Sequence, residues 1–127
     1  MKLFEQSKCL QASILLVEDD PTCRYLLSSM LHEKNNIVHE AANGKDALTI
    51  YKKHAPDLLL TDVDIPEMNG VELITVIRES NTHIPIVVMS AEPESLRLGE
   101  SAGANMSFIK MISMPVLLNL VGSLLLL

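Results

Sequence analysis

The chain has 127 residues, of which 48% are hydrophobic and 20% are charged, and this fits one globular domain. Its formal net charge of −6 argues against a nucleic-acid-binding surface, because such surfaces cluster Lys and Arg. The most apolar stretch, residues 114–127, is shorter than the roughly 20 residues that span a bilayer, and the N-terminus lacks the apolar core of a signal peptide. We therefore expect a soluble, cytoplasmic protein that neither binds nucleic acid directly nor spans a membrane.

Apolar runs of strand length alternate with segments of helical period along the chain. The first run, residues 13–17, is almost wholly apolar, as expected of a strand that is covered on both faces. Asp20 and Pro21 follow it as a predicted helix N-cap and first helical residue. The residues predicted to form the buried face of this helix recur at helical spacing: Cys23, Leu26, Leu27, Met30 and Leu31.

The same alternation continues towards the C-terminus. Further strands are predicted over residues 37–39, 58–62, 84–89 and 105–110. The helices between and after them are predicted to begin at Asn43-Gly44, Asn69-Gly70, Glu94 and Met114-Pro115. Five strands alternating with five helices imply right-handed crossovers, and hence a doubly wound α/β fold around a parallel sheet.

Polar residues follow four of the predicted strands. They are Glu18 and Asp19 after the first strand, Asp62 at the end of the third, Ser90 after the fourth and Lys110 at the end of the fifth. Ligands of such folds bind beyond the carboxyl ends of the strands, so we expect these side chains to converge. Carboxylates about 4 Å apart repel by about 4 kcal/mol at an effective dielectric constant near 20, and the cluster therefore needs a cation. Such oxygen ligands suit Mg²⁺, and a carboxylate can accept a phosphoryl group.

Several segments at these positions resemble the receiver domains of bacterial response regulators. They are residues 14–20 (ILLVEDD), residues 62–70 (DVDIPEMNG), residues 89–91 (MSA) and Lys110. The resemblance runs from about Ala12 to the C-terminus, which implies a receiver domain over residues 12–127 preceded by a tail over residues 1–11. It also implies a flavodoxin-like three-layer sandwich with a five-stranded parallel sheet in the order 2-1-3-4-5.

The resemblance implies a role for each of these polar residues. Asp62 is implied to accept a phosphoryl group from a sensor histidine kinase or a phosphotransfer protein, while Ser90 and Lys110 hold the phosphoryl oxygens. The implied ligands of Mg²⁺ are Glu18, Asp19, Asp62 and the backbone carbonyl of Asp64. Such a domain is not an enzyme beyond its own phosphorylation and dephosphorylation, which switch the surface that it presents to partners.

Four positions depart from the usual pattern of this family. Met111 follows Lys110 where proline is usual, and we therefore predict a trans peptide at this bond. Ser107 stands where an aromatic switch residue is frequent. Asp64 and Glu92 add carboxylates beside the expected route of the attacking water, so we predict slow loss of the phosphoryl group.

Two other functions stay open on the sequence. Residues 62–64 (DVD) are similar to the nucleophile motif of haloacid-dehalogenase-type phosphatases, although that family places the motif after its first strand and has a larger chain. The second alternative is a degenerate receiver that acts as a phosphorylation-independent protein-interaction module. The intact set of Asp19, Asp62, Ser90 and Lys110 argues against this alternative.

The last predicted helix lies in a stretch, residues 111–127, that carries no charged residue. The residues predicted to pack on the sheet share one face: Leu117, Leu120, Val121 and Leu124. The residues left without a predicted core position are Val116, Leu118, Leu125, Leu126 and Leu127. Because exposed leucines favour association, we predict a homodimer or an effector contact through this helix.

Overall fold

A computed structural model of the protein describes residues 11–110 and 114–126. Five strands and five helices alternate along these residues. The strands are β1 (Ser13–Val17), β2 (Ile37–Ala41), β3 (Leu58–Asp62), β4 (Ile86–Ser90) and β5 (Met106–Ile109). The helices are α1 (Pro21–Glu33), α2 (Gly44–His54), α3 (Gly70–Ser80), α4 (Pro93–Ala102) and α5 (Met114–Leu125). The predicted alternation is confirmed.

The five described strands form one parallel sheet in the order β2-β1-β3-β4-β5. In its register, Asp62 at the end of β3 pairs with Met89, and Ser90 at the end of β4 pairs with Ile109. The carboxyl ends of β3, β4 and β5 therefore lie at one edge of the sheet. The doubly wound fold and the expected strand order are confirmed.

Helices cover both faces of the sheet and bury two apolar clusters. Leu15 and Leu59 belong to the cluster that the sheet forms with α2, α3 and α4. Leu16 and Leu60 belong to the cluster on the other face, which includes residues of α1 and α5. Neighbouring residues of one strand thus face opposite layers, as the period-two geometry of a strand requires. Burying each leucine contributes about 1.5–3 kcal/mol, so the central strands hold the carboxyl edge firmly in place.

Side-chain caps fix the starts of two helices that leave this edge. Oδ2 of Asp20 accepts a hydrogen bond of 2.8 Å from the amide of Cys23, and Pro21 is the first residue of α1. Asn69 and Glu72 form a reciprocal capping box at the start of α3, with two hydrogen bonds of 2.9 Å. Both predicted helix starts are confirmed, and each cap contributes about 1 kcal/mol.

Some local predictions differ from the structure. Leu26 is 52% exposed, so its predicted place on the buried face of α1 is wrong. Only one narrow stripe of α1 contacts the sheet, and it includes Leu27, which is buried as predicted. β4 begins at Ile86 rather than at residue 84, since Pro85 has no N–H group to offer to a neighbouring strand. β2 runs on to Ala41, two residues beyond its predicted end.

The described part of α5 agrees only partly with its predicted packing. Val121 is buried and Leu124 packs against the cluster on the α1 face, as predicted. Leu125 also packs there, so the prediction that it lacks a core position is wrong. Leu126 is 74% exposed, as predicted. The predictions that lie outside the described residues concern the Lys110–Met111 peptide, the side chains of Val116, Leu117 and Leu118, and Leu127.

Candidate functional site

The polar residues named from the sequence meet at the carboxyl edge of the sheet. Asp62 and Ser90 are the last residues of β3 and β4. Glu18 follows β1, and Lys110 follows β5, where its amide donates a 2.9 Å hydrogen bond to the carbonyl of Ser90. Parallel pairing therefore brings these side chains together at the carboxyl edge of the sheet, which we call the rim. The two that are farthest apart in the sequence, Glu18 and Lys110, are separated by 92 positions.

Three carboxylates form the centre of the site. One oxygen from each of Glu18, Asp19 and Asp62 lies within 4.8 Å of the others. Glu18 and Asp62 are buried, with 0% and 4% exposure, whereas Asp19 is exposed. The cluster thus combines two carboxylates shielded from water with one that opens to solvent.

Lys110 supplies the positive charge that faces these carboxylates. Its Nζ lies 2.8 Å from Oδ2 of Asp62 and 2.7 Å from Oε1 of Glu18. Burial by itself lowers the pKa of Lys110, but the hydrogen bond to Asp62, the contact with Glu18 and the two negative charges outweigh it, so that the net pKa is raised. The ammonium group therefore stays charged at neutral pH.

The oxygen ligands of this cluster fit a divalent cation. One ammonium group offsets only one of the three negative charges. Oε1 of Glu18 is buried, and it accepts no hydrogen bond of good geometry from the described residues, although Lys110 lies close to it. A buried carboxylate oxygen in this state is costly without a further partner. Mg²⁺, a hard cation that binds through one or two carboxylates and keeps several waters, matches this set.

Two residues outside the cluster hold the loop that carries Glu18. Nη1 of Arg24 donates a 2.7 Å hydrogen bond to the carbonyl of Glu18, and the amide of Asp20 donates to its Oε2 at 3.1 Å. Nε of Arg24 also lies 3.4 Å from Oε1 of Glu40 on β2. Arg24 was not predicted from the sequence, because its contacts depend on how α1 packs against the sheet. No motif or residue spacing in the sequence indicates them.

The loop after Asp62 is drawn tightly against α3. The amide of Asp64 donates a 3.0 Å hydrogen bond to Oδ1 of Asp62, and the amide of Gly70 donates to the carbonyl of Val63 at 2.8 Å. A Cβ atom on Gly70 would lie 2.7 Å from Cα of Val63 and 2.8 Å from the carbonyl oxygen of Asp62. Only glycine permits this close approach, which explains the glycine at the last position of the segment DVDIPEMNG.

The Ser90 hydroxyl forms its hydrogen bonds with Asp64 and Glu92 and not with Asp62. Its hydroxyl, fully buried, donates to Oδ2 of Asp64 at 2.7 Å and accepts from the amide of Glu92 at 3.0 Å. The other oxygen of Asp64 accepts from the hydroxyl of Ser95 at 3.1 Å. The sequence reasoning placed Asp64 near the site but missed both serine contacts, since they join three separate segments of the chain.

Comparison with known proteins assigns the family. The model of the response regulator receiver domain matches residues 14–122. The chain belongs to this family. It is a receiver domain of the kind used in two-component systems, and the resemblance read from the sequence is confirmed. None of its described helices is long and apolar enough to cross a membrane.

The individual relatives of this receiver domain include a sensor protein, a chemotaxis protein and a response regulator protein. The sensor protein EvgS of Escherichia coli strain K12 is 37% identical over 107 residues, which are 83% of this chain but 9% of EvgS. The chemotaxis protein CheY of Halobacterium salinarum is 31% identical over 114 residues, which are 88% of this chain and 95% of CheY. The structure of the response regulator protein TrrA of Thermotoga maritima in complex with Mg(2+)-BeF has a TM-score of 0.83 at 27% identity, covering 90% of this chain and 99% of TrrA. The chain thus corresponds to a small part of EvgS and to nearly the whole of CheY and TrrA.

Proposed function

We propose that this receiver domain accepts a phosphoryl group on Asp62, in an Mg²⁺-dependent reaction, from a sensor histidine kinase or a phosphotransfer protein. The observation that carries the proposal is the position of Asp62: a buried carboxylate at the end of the central strand, beside Lys110 and two further carboxylates. Similarity to the sensor protein EvgS and to the sensor histidine kinase TmoS of Ectopseudomonas mendocina supports a kinase as donor. We place the reaction in the cytoplasm, where ATP for such a kinase is available.

Asp62 and Lys110 are the residues of the chain that take part directly in the transfer. An oxygen of Asp62 forms a bond to phosphorus while the bond from phosphorus to the donor's histidine nitrogen breaks. The electrons of that bond stay on the imidazole, which takes a proton from solvent. Lys110 offsets negative charge on the carboxylate and on the incoming group throughout, because its raised pKa keeps it protonated. The site catalyses only this transfer to itself and the later loss of the group.

The residues that would hold Mg²⁺ are Glu18, Asp19, Asp62 and the backbone carbonyl of Asp64. When bound, the ion supplies positive charge to the oxygens of the transferring group. Support for this part of the proposal comes from the carboxylate cluster itself and from TrrA, whose structure is a complex with Mg(2+)-BeF. Asp19 is the exposed member of the cluster, so it lies where an ion arriving from solvent meets the site first.

The decisive experiment measures phosphorylation by intact-protein mass spectrometry. The protein is incubated with acetyl phosphate, with Mg²⁺ or with EDTA, and we expect the mass of one phosphoryl group to be added only with Mg²⁺. Asp62→Asn should abolish the addition. Asp57→Asn is the matched control, because Asp57 precedes the same strand at the opposite end and accepts a hydrogen bond from the amide of Ser13.

Each alternative function predicts a different result in this experiment. A degenerate interaction module would add no phosphoryl group under any condition. A phosphatase would consume the donor continuously without holding the group. Undiminished labelling of Asp62→Asn would contradict the assignment of the acceptor residue.

We also propose that phosphorylation changes a surface of the domain that binds a partner. Leu126, at the end of α5, is exposed, and we propose that the C-terminal helix contacts a second copy of the domain or an effector. Sedimentation that shows a monomer at high micromolar concentration, with and without a phosphoryl mimic, would contradict the homodimer.

A further inference from the structure

We propose that Asp64 acts as a latch on Ser90: its carboxylate holds the Ser90 hydroxyl in the unphosphorylated domain and competes with a phosphoryl group on Asp62 for that hydroxyl. Asp64 is a positioning residue in this scheme, since it acts through Ser90. The inference rests on the proposed function, because the competing group is the phosphoryl group that Asp62 would carry.

The hydrogen bonds of Ser90 leave its hydroxyl with no free proton. A serine hydroxyl has one proton to donate, and that of Ser90 goes to Oδ2 of Asp64 at 2.7 Å. One of its lone pairs accepts the amide proton of Glu92 at 3.0 Å. The side chain has no access to water, so solvent does not compete for the proton. Ser90 can therefore donate to a group on Asp62 only after it leaves Asp64.

The latch also reaches the first turn of α4. Oδ1 of Asp64 accepts from the hydroxyl of Ser95, which lies in α4. One carboxylate thus connects the loop after β3, the end of β4 and the start of α4. When Ser90 turns away, Ser95 is the remaining described donor to this carboxylate, and Asp64 no longer connects the start of α4 to the end of β4.

The negative charge of a phosphoryl group on Asp62 favours breaking of the hydrogen bond between Ser90 and Asp64, so this bond should break only on phosphorylation. A phosphoryl group carries about −1.5 to −2 charge and three acceptor oxygens, so it competes well with a single carboxylate for the hydroxyl. The backbone amide of Asp64 donates to Oδ1 of Asp62 at 3.0 Å, so the two residues are neighbours, and negative charge added to Asp62 would repel the Asp64 carboxylate. The new acceptor oxygens draw the Ser90 hydroxyl towards Asp62, and the repulsion weakens the hold of Asp64 on it.

α4 has a second tether of the same kind at its other end. The hydroxyl of Ser107 on β5 donates to Oε2 of Glu100. Of these two contacts, the one between Asp64 and Ser95 connects α4 to the site itself.

The test measures how tightly each variant binds beryllofluoride in the presence of Mg²⁺. Hydrogen bonds to charged groups are the stronger class, so freeing Ser90 by Asp64→Ala should tighten binding at least about fivefold. Glu92→Gln is the control for charge alone: it removes a carboxylate from the neighbouring loop, and the Glu92 side chain makes no hydrogen bond to any described residue. We expect less than a twofold change for this control.

A double-mutant cycle with Ser90→Ala separates the latch from simple repulsion. If Asp64 acts through Ser90, Asp64→Ala tightens beryllofluoride binding clearly less in the Ser90→Ala background than in wild type, because only the charge repulsion is then relieved. If Asp64→Ala tightens binding equally in both backgrounds, charge repulsion alone explains the effect and the latch is wrong.

An NMR comparison without any phosphoryl mimic gives a second readout. In free Asp64→Ala, the amide resonances of Glu92 and Ser95 should move towards their positions in beryllofluoride-bound wild type. Unmoved resonances would overturn the latch even if phosphorylation of Asp62 is intact. Absence of Mg²⁺-dependent phosphorylation in wild type would instead overturn the proposed function, and the latch with it.

Discussion

The ammonium nitrogen of Lys110 lies 2.8 Å from Oδ2 of Asp62, a residue 48 positions earlier in the sequence. The same nitrogen lies 2.7 Å from Oε1 of Glu18. One cation at the end of β5 therefore joins carboxylates at the ends of β1 and β3, and it holds together the rim at which the phosphoryl group would bind. We therefore expect this contact to matter for the stability of the domain as well as for phosphorylation of Asp62.

Lys110→Met should destabilise the domain at neutral pH by about 2 kcal/mol, because it leaves Glu18 and Asp62 buried without their counter-ion. The expected loss is smaller than for a fully buried pair, because the side chain of Lys110 is 16% exposed and water partly screens its charge. Urea-induced unfolding measures the difference. Lys45→Met, at an exposed position on α2, is the control and should change stability little. Equal stability of wild type and Lys110→Met would contradict the prediction.

The contacts of Lys110 should also affect how the free energy of unfolding changes with pH under alkaline conditions. The pKa of Lys110 is raised above its ordinary value of 10.5 in the folded state. Its stabilisation is therefore fully present below the unfolded pKa and is lost as the pH rises through the higher folded pKa. We expect the free energy of unfolding of wild type to fall more steeply above about pH 10 than that of Lys110→Met. Parallel profiles for the two proteins would show that Lys110 does not contribute in this way.

Binding of Mg²⁺ to the carboxylate cluster should raise the thermal stability of the domain. A ligand present at ten times its dissociation constant adds about 1.4 kcal/mol, or about 3–6 °C for a domain of this size. Thermal unfolding with increasing Mg²⁺ measures the shift. Asp19→Asn should remove most of it, whereas Glu33→Gln, an exposed carboxylate at the far end of α1, should leave it intact. A shift of equal size in Asp19→Asn would argue against the proposed ligand set.

Gly70→Ala should destabilise the domain by about 1–3 kcal/mol, because the new Cβ atom would overlap the backbone of Val63 and Asp62. It should also lower the rate of Asp62 phosphorylation, since the backbone on either side of the acceptor has to move. Gly122→Ala is the matched control, as a Cβ atom there meets nothing within 4 Å, and it should raise stability by about 0.5–1 kcal/mol. Chemical denaturation of both variants decides the matter. Similar effects in the two would refute the steric explanation.

The thiol of Cys23 should be unreactive in the folded domain. Burial, reinforced by the charge of Glu18, raises the pKa of Cys23 from 9.0 to about 11. The thiolate is the reactive form, so at pH 8 alkylation should be about a hundredfold slower than in the unfolded chain from the pKa alone. Iodoacetamide labelling in a Cys9→Ser background, with and without urea, measures this ratio. Labelling at the unfolded rate in native buffer would show that the thiol is accessible.

The alternation of strands and helices, the helix starts and the residues of the rim could be predicted from the sequence alone. Each depends on a local pattern: apolar runs for β1 and β3, a cap at Asp20 or Asn69, and a polar residue such as Glu18 directly after an apolar run. The parallel sheet then requires that the strand ends meet at one edge, so the convergence of Glu18, Asp62 and Lys110 follows from topology.

Which atom contacts which was decided only by the tertiary structure. The Ser90 hydroxyl donates to Asp64 and not to Asp62, Arg24 holds the carbonyl of Glu18, and Leu26 faces solvent although its spacing favours the core. These outcomes depend on rotamers and on distances between segments that are remote in sequence, which no periodicity or capping pattern encodes. The sequence by itself therefore determined the fold and the chemical groups of the site, whereas packing determined the hydrogen bonds through which those groups are held.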